Sequence, residues 1–161
     1  GETGEVCIRA DNLMRGYWRA DGEVNAGLED GWFHSGDLGQ RAEDGCITIV
    51  GRSKDMIISG GENIYPAEIE NLLVTLPGVA ECAVVGLPDA RWGEVPVAVL
   101  VRSADPAGQT LDAQAVLAHL QTRIARFKLP RRVLFADKLP KSALGKVQKP
   151  ALQAELTRTN P

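Results

Sequence analysis

Gly51-Arg52-Ser53-Lys54-Asp55-Met56-Ile57-Ile58-Ser59-Gly60-Gly61-Glu62-Asn63-Ile64-Tyr65-Pro66-Ala67-Glu68-Ile69-Glu70 is the stretch on which the reading of this chain turns. Within it, Met56-Ile57-Ile58 is a brief apolar strand that meets a Gly60-Gly61 turn. Pro66 then suits the first position of a helix, where its missing N–H costs nothing, and Glu68 and Glu70 favour the positive end of the helix dipole. Ile69, Leu72, Leu73 and Leu76 recur at helical spacing. This helix is expected to stop near Pro77-Gly78.

Downstream, the pattern is a compact alternation of strands and helices. Val79–Leu87 and Val95–Val101 are strand-length runs rich in Val and Ala, and the second is so nearly continuous in apolar character that it belongs in the middle of a sheet. Ala113, Val116, Leu117, Leu120 and Ile124 mark an amphipathic helix, with Asp112 or Thr110 as its cap. Arg132–Ala136 reads as a strand and Pro150–Leu156 as a last helix. The whole is an α+β domain of about 105 residues.

Upstream, residues 1–54 read as short β segments divided by Gly and Asp-Gly turns. Glu5-Val6-Cys7-Ile8-Arg9 alternates apolar and polar residues. Asp44-Gly45 separates a segment ending at Ala42 from Cys46-Ile47-Thr48-Ile49-Val50, a strong hairpin signal. No helix here is long enough to cover a sheet, so the stretch reads as part of a domain whose remainder lies elsewhere.

Composition narrows the function classes. The 161 residues carry a net charge of -3 with both signs mixed, which gives no general electrostatic reason to expect nucleic acid. Arg123–Lys149 is locally basic and suits either a phosphate-bearing ligand or a solvated face. No apolar run approaches the roughly 20 residues that cross a bilayer, so no transmembrane segment is expected. Cys7, Cys46 and Cys82 are widely spaced in apolar, strand-like runs, which argues for buried thiols in a reducing, cytoplasmic compartment rather than disulfides or a zinc site. The opening Gly1-Glu2-Thr3-Gly4-Glu5 has no Met, basic region or apolar core of a signal peptide and reads as a cut inside a longer protein.

Four stretches carry candidate chemistry. In Trp32-Phe33-His34-Ser35-Gly36-Asp37-Leu38-Gly39, the carboxylate of Asp37 follows a Ser-Gly pair that permits close approach, and it suits a vicinal diol such as a ribose; taken alone, such an Asp is more often a turn cap. In Gly51–Asp55, Arg52 offers a planar fork for phosphate or sugar oxygens, while Lys54 and Asp55 sit where a linker would bend; a merely charged connector is the plainer reading. Gly60 and Gly61 form a turn able to set backbone N–H groups against an extended ligand, though without the spacing of a Walker loop or a dinucleotide fingerprint. In Leu139–Lys149, Gly145 frees the backbone beside Lys146, whose ammonium could follow charge onto a carboxylate or phosphate; by itself it is one surface lysine among many.

Taken together and in this order, these stretches resemble the adenylate-forming family of acyl-CoA synthetases, peptide-synthetase adenylation domains and luciferases. Gly16-Tyr17-Trp18 ends a segment like the family's approach to the site, and Trp32–Asp37 is similar to W-[FY]-x-[ST]-G-D. Gly51–Glu70 is similar to G-R-x-[KD]-[DE]-x-I-x-x-x-G-x-x-I-x-P-x-E-[IV]-E, and Pro140–Lys146 to P-[KR]-[ST]-x-x-G-K. The resemblance implies residues 1–54 as the carboxy-terminal end of a large AMP-binding domain. It implies 55–161 as a small mobile carboxy-terminal domain, with helices packed on a short mixed β-sheet.

It also implies the chemistry. A carboxylic acid attacks Mg·ATP to give an acyl-adenylate and pyrophosphate, then the CoA thiol displaces AMP, and the small domain rotates at a hinge of Lys54 and Asp55 between the steps. Asp37 would hold the ribose hydroxyls, Arg52 would support the nucleotide, Lys146 would bridge carboxylate and phosphate, and Gly60-Gly61 would line the pantetheine tunnel. The Mg²⁺ ligand, the phosphate loop and the acyl pocket belong to amino-terminal sequence outside this chain, so the chain alone is expected to be inactive.

Two positions depart mildly from the pattern: Ser142 stands for the usual Thr and Lys149 for a frequent Arg. Within the family, Phe33–Asp37, Gly60–Pro66 and Arg91-Trp92-Gly93-Glu94 look most like fatty or aromatic acyl-CoA ligases, with a fatty acid the first expectation. A domain loading a carrier-protein pantetheine, or a non-catalytic binding or dimerisation module, are the alternatives.

Overall fold

The computed structural model describes residues 2–22, 24, 25 and 27–159, and the chain divides into two compact units, one ending at Lys54 and the other starting at Asp55. The first unit is built from β1 (Thr3–Ile8), β2 (Tyr17–Trp18), β3 (Val24–Asn25), β4 (Leu28–Glu29), β5 (Trp32–Arg41) and β6 (Ile47–Arg52). The long strand β5 pairs antiparallel with β1, β4 and β6, while β2 and β3 form a separate two-stranded ribbon. The β5–β6 hairpin turns where the Asp-Gly pair predicts it. Ala42 N–H donates to Cys46 O at 2.8 Å and Asp44 Oδ1 accepts from Cys46 N–H at 2.9 Å, which holds the Asp44 carboxyl below its ordinary range.

Nothing in this unit amounts to a core. Among the described residues every buried apolar side chain lies at or beyond Ile57, whereas Trp18 is 80% exposed and Tyr17, Ile47 and Ile49 are exposed as well. A sheet with this much uncovered apolar surface has not buried enough to offset its own ordering entropy.

The second unit has its core on both faces of one mixed sheet. Its strands are β7 (Ile57–Ser59), β8 (Glu62–Ile64), β9 (Val79–Asp89), β10 (Gly93–Arg102) and β11 (Arg132–Phe135); its helices are α1 (Pro66–Leu73), α2 (Pro106–Thr110), α3 (Ala113–Gln121) and α4 (Lys149–Thr159). As its apolar run predicts, β10 is the hub, pairing antiparallel with β9 and, at Gly93, with β7, and parallel with β11. The side-chain period of two sorts the core. Val84, Ala98 and Leu100 face α1 and α3 among Ile57, Ile64, Ile69, Leu73, Val116 and Leu120. Ala83, Val85, Val97 and Val99 face α4 around Leu139 and Leu152. The α+β expectation holds.

Local differences have local causes. Pro66 does open α1, but the helix ends at Leu73, short of Pro77. The carbonyl of Leu72 is taken by the Thr75 hydroxyl at 2.7 Å and by His119 Nε2–H of α3 at 3.0 Å, so tertiary donors satisfy the last turn early. The chain reverses at Gly78, whose φ of 93° only glycine adopts freely.

The short helix α2, capped by Asp105 accepting from Gly108 N–H, was not foreseen. Of the two candidate caps for α3, Asp112 is the one used, accepting from Ala115 N–H at 2.8 Å, whereas the Thr110 hydroxyl bonds back to Pro106 O and Ala107 O. Asp112→Ala is expected to cost about 1 kcal/mol by urea unfolding and Thr110→Ala clearly less.

The expectation of three buried thiols needs correction. All three cysteines are free, but Cys46 is exposed at the tip of the β5–β6 hairpin, where no element covers it, and Cys7 is half-buried. Cys82 on β9 is likewise half-buried, packed against the α1–α3 core, and burial, followed by the nearby Glu70 carboxylate, pushes its thiol up to about 11. Among the described residues, no helix is long and apolar enough to cross a membrane.

Candidate functional site

Asp37 and Arg52 are brought together by strand register. They stand opposite each other across β5 and β6, and Arg52 Nε donates to Asp37 Oδ1 at 2.9 Å. With 32% and 52% of these side chains exposed, the pair adds little to stability, so its geometry is available for ligand contacts. The backbone carrying Asp37 is fixed from β1. Ser35 Oγ donates to Val6 O at 2.6 Å, Asp37 N–H donates to Ser35 Oγ at 3.1 Å, and Gly36 N–H donates to Glu5 Oε1 at 2.9 Å. Glu5 Oε2 meets His34 Nδ1 at 2.8 Å; this contact holds the Glu5 carboxyl below its ordinary range, aided by Gly36 N–H, and raises the His34 imidazole. Neither Glu5 nor His34 was singled out from sequence, because the signal is a cross-strand pairing between residues 29 apart.

Lys54 and Asp55 close a single 3-10 turn, Ser53–Asp55, with Lys54 exposed. Gly60 and Gly61 form the β7–β8 turn with φ of 61° and 87°, the two left-handed positions of a two-residue hairpin. Their expected use as N–H donors is only half open. Gly60 N–H already donates to Trp92 O at 2.8 Å, and a Cβ on Gly60 would stand 2.6 Å from Trp92 Cε3. What the turn offers is a flat, side-chain-free surface laid on an indole. Trp92 is in turn flanked by Arg91 and Arg131, 4.9 and 5.4 Å from ring centres, and its N–H and that of Arg91 are held by Asp89 Oδ1.

Lys146 sits on an exposed loop that is fixed at its base and free at its tip. Lys141 and Val147 bridge the two legs, Ser142 N–H donates to Lys146 O, and Gly145 N–H donates to Ser142 O. One leg is tied by Lys141 Nζ to Glu81 Oε1 at 2.7 Å; the other by Lys149 Nζ to Glu70 Oε1 at 2.8 Å, an oxygen that also accepts Val84 N–H at 2.7 Å. The Lys146 ammonium itself makes no ion pair among the described residues.

The Gly60-Gly61 turn and the Lys141 leg of the lysine loop are rooted at opposite ends of the same strand pair, while the Lys149 leg is tied nearer its middle, at Val84 opposite Ala98. Gly93 of β10 pairs with Ser59, beside the Gly60-Gly61 turn, whereas Glu81 of β9, which holds Lys141, pairs with Val101. The eight-residue separation from Gly93 to Val101 corresponds to about 26 Å along the strand.

Residues 68–146, running from the first turn of α1 to the lysine at the loop tip, match the family model described as AMP-binding enzyme C-terminal domain. Across these residues the chain is an AMP-binding enzyme C-terminal domain. It is 56% identical over 149 residues to an indoleacetate–CoA ligase of Aromatoleum aromaticum, covering 92% of this chain and 29% of that one. A long-chain-fatty-acid–CoA ligase of Mycobacterium tuberculosis is 42% identical, covering 98% of this chain and 31% of the relative. The crystal structure of ATP-bound MatB from Rhodopseudomonas palustris superposes with a TM-score of 0.84 at 40% identity over 100% of this chain and 32% of that chain. The chain thus spans about a third or less of the length of these AMP-binding enzymes.

The Lys149–Glu70 pair is the least expected part of the site. The sequence comparison with the family pattern treats Lys149 only as a mild departure, yet both partners are about four-fifths buried, at 20% and 19% exposure. Lys149→Ala leaves Glu70 with only the Val84 N–H and is expected to cost about 2 kcal/mol of unfolding free energy, with Lys149→Arg restoring most of it. Chemical denaturation of both variants checks this.

Proposed function

We propose that the chain is part of an AMP-forming acyl-CoA synthetase, an acid–thiol ligase. The unit ending at Lys54 belongs to a large nucleotide-binding domain, and the unit starting at Asp55 is a small mobile domain turning about Lys54 and Asp55. The observation that carries this reading is the rooting of the Lys141 leg of the Lys146 loop and of the Gly60-Gly61 turn at opposite ends of β9–β10. One rigid unit with two such loops serves one nucleotide in two orientations. The uncovered apolar residues of the first unit support its membership of a larger domain.

In the adenylating orientation Lys146 brings an unpaired ammonium to the acid carboxylate and the α-phosphate, stabilising charge where it develops. Asp37 accepts from the ribose hydroxyls, and Arg52 holds that carboxylate in place while its remaining N–H groups face the nucleotide. In the thioester-forming orientation Lys146 has left, and the flat Gly60-Gly61 surface over Trp92 gives the pantetheine arm of CoA a side-chain-free path. Mg²⁺ enters with ATP. Among the described residues the single cluster of three metal-ligating side chains is Glu5, Cys7 and His34, and its thiol and imidazole do not suit Mg²⁺, so no step is assigned to a metal here.

The acid is apolar, aryl or fatty, a reading supported by the relatives named for indoleacetate and long-chain fatty acids. CoA is favoured over a carrier protein as the thiol because these relatives are named CoA ligases. The free Lys146 ammonium and the Asp37–Arg52 pair support catalysis over a purely binding role. A cytoplasmic location belongs to the same proposal and suits three free thiols. Full-length protein incubated with ATP and an acid panel of indoleacetate, ferulate and long-chain fatty acids is expected to release AMP and yield a CoA thioester. Release of AMP only in the presence of a carrier protein, or with none of these acids, would refute it.

A further inference from the structure

We infer that Glu5, Cys7 and His34 form a binding site for a borderline-soft divalent cation of the zinc class, held between β1 and β5. The nearest ligand atoms of the three side chains lie within 4.8 Å of one another. Cys7 and His34 are direct cross-strand partners, and a bulge between Glu5 and Cys7 adjusts the register so that the carboxylate reaches the same place.

The decisive feature is where the groups converge. Cys7 Sγ stands 3.6 Å and Glu5 Oε2 2.8 Å from the same ring nitrogen, His34 Nδ1. A thiol–imidazole–carboxylate relay for nucleophilic catalysis needs thiol and carboxylate on opposite nitrogens, so that one gives up a proton while the other orients the ring. This trio cannot work that way. Both groups instead approach the one ring nitrogen from which an ion shared by all three would be bound.

Two of the three ligand spacings come near what zinc needs, and the Cys7 thiol and Glu5 carboxylate, within 4.8 Å of each other, have to draw together. Bonds of about 2.3 Å to sulfur and about 2.0–2.1 Å to nitrogen and oxygen place tetrahedral S and N ligands about 3.5 Å apart, and N and O about 3.3 Å. The sulfur–nitrogen spacing already matches, and the carboxylate has to retreat by about half an ångström. The other imidazole nitrogen is separately provided for. His34 Nε2 lies 3.7 Å from Oε2 of the exposed Glu29 on β4, too far for a hydrogen bond but near enough for the carboxylate to swing in and orient a metal-bound imidazole. Mixed sulfur, nitrogen and oxygen donors select zinc-class ions over Mg²⁺ or Ca²⁺. Three protein ligands leave the fourth tetrahedral position for water. Because Glu5 also receives Gly36 N–H, an ion here would bind next to the strand segment that presents Asp37.

The test uses the full-length protein freed of metal. Zinc is expected to bind with a stoichiometry that drops by one equivalent in Cys7→Ser, and cobalt to give a thiolate-to-metal charge-transfer band that Cys7→Ser removes. Glu29→Gln is expected to weaken zinc binding by about tenfold, and Cys46→Ser to change neither readout. X-ray absorption of the zinc-loaded wild type, expected to show one sulfur among nitrogen and oxygen ligands, needs no variant and covers the case in which Cys7→Ser fails to fold. A wild type without the cobalt band, a band that survives Cys7→Ser, or zinc with no sulfur neighbour would each overturn the site and leave a hydrogen-bonded trio.

Discussion

Lys146→Ala in the full-length enzyme is expected to slow acyl-adenylate formation by about a hundredfold to a thousandfold, the usual cost of removing one charge-stabilising donor. Transfer from a supplied acyl-adenylate to CoA is expected to stay within about threefold of the wild type, since an interaction made only in one transition state affects only that step. The structure separates this effect from folding. The loop is gripped at its base by Lys141–Glu81 and Lys149–Glu70, while Lys146 itself makes no ion pair among the described residues. The thermal midpoint of Lys146→Ala should therefore match the wild type. ATP–pyrophosphate exchange and single-turnover thioester formation, measured on the same preparation, give the two rates. Equal losses in both would refute the two-orientation assignment, and undiminished exchange would remove Lys146 from the chemistry altogether.

Leu100→Ala is expected to destabilise the second unit by about 3 kcal/mol, within the range for a fully buried leucine whose neighbours relax only partly. Leu100 is 0% exposed on β10, between Cys82 of β9 and Phe135 of β11. Its side chain packs into the cluster that also holds Ile69 and Leu73 of α1 and Leu120 of α3. These neighbours sit on separate elements already fixed by the sheet, so the space cannot close without moving strands. Urea unfolding followed by circular dichroism measures the loss. A change under about 1 kcal/mol would mean the site collapses freely and that the β10 hub is less rigid than its pairing implies. Ile49→Ala, at a 53% exposed position in the first unit, is the contrasting case and should cost about 0.5 kcal/mol or less in this chain.

How much of this could be read beforehand depends on the range of the interactions involved. Pro66 marked the first residue of α1, Asp44-Gly45 marked the β5–β6 hairpin, and the run Val95–Val101 marked the central strand. Each is a short-range matter of proline geometry, turn chemistry or side-chain period, and each is carried by adjacent residues. The end of α1 was not legible, because it depends on His119 reaching Leu72 from 47 residues away. Nor was the exposure of Cys46, since an apolar-looking run does not reveal which of its residues lies on a hairpin tip.

The candidate site divides in the same way. Sequence by itself determined the residue types and their order: an acid after Ser35-Gly36, an arginine following a strand, a two-glycine turn, and a lysine beside Gly145. It also placed the change of pattern at about Asp55. Only the tertiary structure decided that Asp37 and Arg52 form an ion pair, that the N–H of Gly60 is spent on Trp92, and that Lys149 is tied to Glu70. It alone set the Lys141 leg of the lysine loop and the glycine turn at opposite ends of β9–β10 and gathered Glu5, Cys7 and His34 round one nitrogen. The physical reason is that turn and helix signals are local in the chain. Cross-strand register and ion pairing instead join residues many positions apart, and a shift of one residue in pairing would turn each of these side chains to the other face.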